Sequence, residues 1–258
     1  MDAILPSGAE TMQVVLASMF RNSSRYLDRY GAQCAALRDA LQERGDTLRL
    51  IVAEGDSTDD TPVMLPKVLQ EHHGLTATIL KVDHGGPEYG SVNSPERWAQ
   101  IALVCNVILE KFAKARPKPE AFIWVESDLI WDAPTMLALL GHLIATDPHP
   151  DGSVKPGVDV ACPLCYAKSK ENGIVYDIWG MRKDGVWFNS SRPYHQALVG
   201  WQGGLVELDS SGSCLVMRGE VAAQSRFAPE DAIVGWCRDM RAKGFRLWLD
   251  PALYVVHP

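Results

Sequence analysis

Two carboxylates one residue apart, Glu126 and Asp128, close the apolar run Phe122-Ile123-Trp124-Val125. Side chains alternate faces along a strand, so both acids can project the same way at the strand's end. Paired oxygen donors of this kind suit Mg²⁺ or Mn²⁺, and a divalent cation there would neutralise phosphate oxygens and stabilise a departing diphosphate. Taken alone, an acidic pair at a strand end is more often a solvated turn or a helix cap.

A second acidic constellation spans Glu54-Gly55-Asp56-Ser57-Thr58-Asp59-Asp60-Thr61, directly after the apolar run Leu48 to Ala53. A carboxylate at that point can accept hydrogen bonds from a base or a ribose, while Ser57, Thr58 or Asp59 can cap the helix that follows. Capping accounts for part of the composition but not for so many acids in one turn. A third group lies in the tail, where Glu230 and Asp231 open a helix and His257 stands next to the final Pro258. Acids at a helix start are favoured by the helix dipole whatever their use.

The elements that would position these groups can be read from periodicity. Gln13 to Phe20 is a strand-length apolar run that breaks at Arg21-Asn22-Ser23-Ser24. Leu27, Tyr30, Cys34, Leu37 and Leu41 recur at helical steps up to the stop at Gly45. Thr76 to Val82 reads as a third strand, Asp83 to Gly90 as a glycine-rich loop, Pro95 to Ala115 as a long helix, and Ala121 to Val125 as a fourth strand. A helix from about Pro134 to Ala145 follows, and the alternation becomes irregular from Val158 onward. Helix 232–243 stops at Gly244, Phe245 to Pro251 reads as a strand and turn, and Tyr254 to Pro258 follow. Strands alternating with helices predict an α/β fold with a mainly parallel sheet, whose ligand crevice lies at the carboxyl ends of the strands. The acidic turns fall at those ends.

The 258 residues are 47% hydrophobic, enough to bury a sizeable core. A net charge of -7 offers no footprint for nonspecific nucleic-acid or anionic-membrane binding. No stretch approaches the roughly 20 apolar residues of a membrane span, and the first residues lack the features of a secretory signal. The six cysteines are scattered through core-like segments, and Cys162-Pro-Leu-Cys165 reads as two buried thiols because no second ligand pair follows at zinc-site spacing. A cytoplasmic location is the expectation. No Walker or dinucleotide glycine pattern is present, which removes kinase and dehydrogenase readings.

The three constellations together resemble those of family 2 and related GT-A glycosyltransferases. IVAEGDSTDDT is similar to the nucleotide-binding turn after the second strand, and WVESDLIW is similar to the strand carrying the metal-binding DxD motif. LVELDSSGSCLVMRGEV, followed by FAPEDAIVGWCRDMRAKGFRLWLDPALYVVHP, is similar to the acceptor-side stretch and the acid-helix-strand ending. The FRNSSRYLDRY start is similar to fungal mannosyltransferase and capsule-associated branches. Two departures stand out: the metal motif begins with Glu rather than Asp, and the nucleotide turn reads EGDSTDD rather than the commoner DDGSTDD.

The resemblance implies a GT-A fold in one domain, with a nucleotide-sugar-binding half over 1–132 and an acceptor-binding half over 133–258. It implies a nucleoside-diphosphate sugar donor and Mn²⁺ or Mg²⁺. Glu54 and Asp56 would hold the nucleoside, Asp128 with Glu126 the cation, and His257 a further metal or diphosphate contact. Arg21 and Arg97 would meet donor phosphates or sugar. Asp231, supported or replaced by Glu230, would be the general base of an inverting displacement; retaining relatives among the same branches leave the stereochemistry open. Trp179, Trp187, Trp201, Tyr166, Tyr176 and Tyr194 are candidates to stack on sugar or base rings, with core packing expected to claim at least half. The acceptor is unknown: a glycan, lipid-linked glycan, protein or modified nucleic-acid base would each fit. A nucleotidyltransferase and an inactive nucleotide-sugar-binding module are the competing readings. The first is disfavoured because the turn after the first strand has no glycine.

Overall fold

A computed structural model describes residues 11–90, 94–144, 147–148, 154–155, 157–177, 179–183 and 195–258. Strand β1 (Gln13–Phe20) leads into helix α1 (Leu27–Gln42), β2 (Thr47–Glu54), α2 (Thr61–Pro66), β3 (Ala77–Lys81), α3 (Pro95–Ala113) and β4 (Ala121–Val125). Then come α4 (Ala133–Ile144) and a two-strand hairpin, β5 (Asp147–Pro148) with β6 (Val154–Lys155). The remaining elements are β7 (Val160–Ala167), β8 (Val206–Leu208), β9 (Cys214–Arg218), α5 (Gly219–Gln224), α6 (Ala232–Ala242) and β10 (Leu247–His257).

Eight strands form one sheet in the order β3-β2-β1-β4-β9-β7-β10-β8. Strands β3, β2, β1 and β4 are parallel; β9 runs antiparallel to both β4 and β7, β10 is parallel to β7, and β8 is antiparallel to β10. Following these relations, β1, β2, β3, β4, β7 and β10 all point the same way. Their carboxyl ends share one edge, where open α/β sheets place their ligands.

Strand alternation splits the core into two faces. Val15, Ala17, Phe122 and Trp124 pack with Cys105, Ile108 and Phe112 of α3 and Trp236 and Met240 of α6. Val14, Leu16, Ile123 and Val125 pack with Tyr30, Leu37 and Leu41 of α1 and Met136 and Leu140 of α4. The result is a sheet covered on both sides, as a mainly parallel sheet requires. Trp236 is fully buried and donates from Nε1 to Ser225 Oγ at 2.7 Å, so its one polar atom is satisfied. All six cysteines are buried free thiols.

The structure departs from the sequence reading in three places. β4 stops at Val125, and Glu126-Ser127-Asp128 form a turn in which the Leu129 amide donates to the Glu126 carbonyl at 3.2 Å. Strand alternation therefore does not set the direction of the two acids. The region from Val158, irregular in its pattern, supplies β7 and β9 to the middle of the sheet. Their burial on both faces erases the alternating signal that marks a half-exposed strand. The tail is one strand, β10, irregular between Asp250 and Tyr254, and not a strand followed by a turn.

Candidate active site

The turn after β4 and the end of β10 meet. Ile130 bridges Val256 through two backbone hydrogen bonds, of 2.8 Å from the Ile130 amide and 2.9 Å from the Val256 amide. That bridge brings His257 Nε2 to 3.1 Å from Asp128 Oδ2. The imidazole also stacks on Tyr176, with ring centroids 3.8 Å apart and planes at 11°. Arg29 of α1 donates to the Asp128 carbonyl at 2.5 Å, which fixes the turn from the opposite side.

Asp128, His257 and Tyr176 line a cleft of about 400 Å³ together with Arg21, Arg25, Arg97, Glu126 and His84. Burial pushes the Glu126 carboxyl up to about 7, the Asp128 and Asp177 carboxylates add to the rise, and His257 and Arg97 oppose it. Burial disfavours charge on His257, yet its bond and attraction to Asp128 outweigh that and raise its pKa above the ordinary histidine value. Arg97 sits in the first turn of α3, where Ser94 Oγ accepts from its backbone amide at 3.2 Å and caps the helix.

The other expected groups are placed differently. Arg21 also lines the cleft, but it donates from Nη2 to the Gly86 carbonyl at 2.8 Å and from Nη1 to Pro87 at 3.0 Å, clasping the loop after β3. Asn22 reinforces the clasp by donating to Glu88 at 2.7 Å. Asp56 accepts from the His84 and Gly85 amides at 2.9 and 3.1 Å, and these bonds, the His84 one first, hold its carboxyl below the usual range. Asp59 accepts from the Ser24 and Thr61 amides at 3.0 and 2.9 Å. Much of the acidic turn therefore staples the ends of β1, β2 and β3 together.

Glu54 is the exception: it is 5% exposed and its Oε1 has no hydrogen-bond partner among the described residues. With Asp56 it lines a second, smaller cavity of about 250 Å³. Asp231 is not among the residues lining either cavity. Arg238 Nη1 and Nη2 grip both of its carboxylate oxygens, at 2.7 and 3.1 Å, and Glu230 precedes it at the start of α6.

Of the aromatic candidates, Tyr176 is in the cleft and Tyr166 is core. Trp179 stacks on Trp98 at 5.3 Å, while Trp201 is exposed and donates to the Gly204 carbonyl of its own loop. Trp187 and Tyr194 lie outside the described residues.

Sequence reasoning missed Arg25, Arg29, His84 and Asp177. Asp177 is buried, accepts from the Gly180 and Gly212 amides at 2.8 and 2.5 Å, and so ties two turns behind Glu126. Its position in an aperiodic stretch gave no signal. Arg29 acts on a carbonyl 99 residues away, a contact that no local pattern can announce.

Among the described residues no three His, Cys, Asp or Glu side chains are grouped to hold a metal ion by themselves. Asp128 and His257 are nonetheless an oxygen and a nitrogen donor on one side of an open cleft. One carboxylate with water and substrate phosphate oxygens filling the remaining positions is a usual arrangement for a divalent cation at phosphate sites, and the imidazole adds a nitrogen donor beside it.

No protein-family model matches the chain, and no curated protein matches it by sequence. Solved structures do. One is the mannosyltransferase PcManGT from Pyrobaculum calidifontis, in complex with GDP-Man and Mn²⁺, at TM-score 0.56 and 13% identity over 98% of this chain. Another is GalNAc-T7 with UDP, GalNAc and Mn²⁺, at 0.54 and 10% over 96%. A third is a mycobacterial protein, at 0.51 and 13% over 96%. The chain spans 59%, 43% and 67% of these three respectively. The likeness shows the fold: a GT-A fold, as the three sequence motifs imply.

Proposed function

We propose that the chain is a metal-dependent glycosyltransferase that moves a hexosyl group from a UDP- or GDP-sugar to an acceptor hydroxyl. The observation that carries this reading is the Asp128–His257 pair, two donors for a cation held at the carboxyl edge of the sheet in a cleft that Arg25 and Arg97 also line. Two of the structural neighbours, the mannosyltransferase with GDP-Man and Mn²⁺ and GalNAc-T7 with UDP, GalNAc and Mn²⁺, support the same general kind of reaction.

In this reading Asp128 and His257, with Glu126 beside them, hold Mn²⁺ or Mg²⁺ against the donor diphosphate. When bound, the cation supplies Lewis-acid stabilisation of the leaving group. Arg25 and Arg97 face the cleft as cations and add fixed positive charge for the phosphates. Glu54 attends the nucleoside, with Asp56 beside it holding the loop after β3 through the His84 and Gly85 amides. Tyr176, stacked flat on His257, keeps the imidazole edge turned toward Asp128.

Asp231, with Glu230 adjacent, is the proposed general base of an inverting transfer in the acceptor half, residues 133–258. Its pairing with Arg238 would orient the carboxylate and would have to loosen as an acceptor hydroxyl arrives. The test is transfer or donor hydrolysis, assayed over UDP- and GDP-hexoses with and without EDTA. Turnover unaffected by metal removal, and equally unaffected in Asp128→Ala, would sink the reading.

A further inference from the structure

The smaller cavity carries more information than its size suggests. Strands β2 and β3 are paired in parallel register with Glu54 directly beside Lys81, so the two side chains leave the same face of the sheet. Both line the cavity, with Ser57, Pro62, Ile79 and Asp83. Neighbouring residues on the same two segments, Gly55 and His84, line the larger cleft. The two cavities thus adjoin at the carboxyl ends of β2 and β3.

The polar groups here are sharply divided. Asp56 is spent on the His84 and Gly85 amides, and Asp83 accepts from the Asp56 amide and pairs with Lys81 Nζ at 3.0 Å. Ser57 Oγ accepts from the Asn22 amide at 3.0 Å. Glu54 alone keeps an enclosed carboxylate oxygen without a partner among the described residues. A buried acceptor left unpaired is costly, so a ligand that supplies donors there gains what the free protein forgoes. Lys81 is 76% exposed at the mouth, and an ammonium with one carboxylate partner still has donors to offer.

Resting on the nucleotide-sugar reading above, we infer that Glu54 selects guanine, making the donor a guanosine-diphosphate sugar. The pairing edge of guanine presents two adjacent donors, N1–H and the N2 amine, beside the O6 acceptor. A carboxylate next to an ammonium meets that pattern in full, two donors on Glu54 and O6 toward Lys81. Uracil offers a single N3–H between two carbonyls, one of which would face a carboxylate oxygen. Adenine and cytosine each place a ring acceptor against the carboxylate. Ile79 and Pro62 supply apolar walls for the faces of the base.

The test is calorimetric titration with GDP, UDP, ADP and CDP in the presence of Mn²⁺, and with inosine diphosphate, which lacks the exocyclic amine. GDP is expected to bind at least about tenfold tighter than UDP, ADP or CDP, and inosine diphosphate to lose about fivefold or more against GDP. Glu54→Gln is expected to weaken GDP by about tenfold while changing UDP less than about twofold. UDP binding as tightly as GDP, inosine diphosphate matching GDP, or a guanine preference that survives in a folded Glu54→Gln variant overturns the assignment and leaves the transferase reading standing. Binding of none of the five nucleotides overturns both.

Discussion

His257 and Asp128 stand 3.1 Å apart although they are 129 positions apart in sequence. The contact depends on parallelism: β4 and β10 run the same way with β9 and β7 between them, and the Ile130–Val256 bridge spans that gap at the sheet's edge. A histidine delivered by a strand, stacked on Tyr176 and paired to a carboxylate, has little rotational freedom left.

Removing Asp128 is expected to be the most damaging single change. Asp128→Asn keeps the shape but loses the charge, and transfer should fall about 100-fold or more, as for loss of a principal electrostatic stabiliser. Steady-state kinetics at saturating Mn²⁺ checks this, with far-ultraviolet circular dichroism confirming an intact fold.

His257→Ala should act on metal affinity more than on the fold. The expected result is a rise of about 10–100-fold in the Mn²⁺ concentration giving half-maximal activity, the range seen when supporting ligands are lost. A metal titration that shifts no more than twofold would remove His257 from the cation site.

Asp231→Asn separates the two halves of the proposed reaction. Transfer to an acceptor should drop by about 100-fold or more if Asp231 is the base, while donor binding, followed by calorimetry, stays within about twofold of the parent. A variant that transfers normally assigns the base elsewhere.

Asp59 gives a stability prediction with a definite sign. Burial opposes its charge, but bonds from the hydroxyls and amides of Thr61 and Ser24 hold its carboxyl down at about 2, against the usual 3.8. A depressed folded pKa favours the folded state at pH above the unfolded value, and that advantage is lost as pH falls toward 2. Asp59→Asn should therefore cost roughly 1–2 kcal/mol at pH 7, discounted for its partial exposure, with the gap to the parent closing between about pH 4 and 2. Urea denaturation at a series of pH values measures it.

Gly55→Ala tests the close approach of the segments that follow β2 and β3. An added Cβ would sit 1.9 Å from the Val82 carbonyl oxygen, a backbone atom that cannot swing aside. A loss of about 2 kcal/mol or more is expected, read as a lowered melting temperature, together with weaker nucleotide binding.

What the sequence revealed follows from how each signal is encoded. The first four strands and three helices were legible because their apolar periods are local and their stops, Gly45 and Pro95, are explicit. Asp128 and His257 stood out as candidates through their motifs, though their meeting is a product of sheet order. The acids of the 54–60 turn look alike in sequence. Only the structure separates Asp56 and Asp59, which bind backbone amides, from Glu54, whose oxygen is left over. β7 and β9 were hidden by burial on both faces, and Arg21 carried no mark that it would spend its guanidinium on a loop.

The bridge between Ile130 and Val256 also bears on how the protein matures. Until the final strand has docked, the acidic turn after β4 lacks its imidazole neighbour, so a chain whose first half has already condensed still has half a site. Long-range pairings of this kind form late and slowly. Recovery of the proposed transfer activity during refolding should accordingly trail recovery of secondary structure.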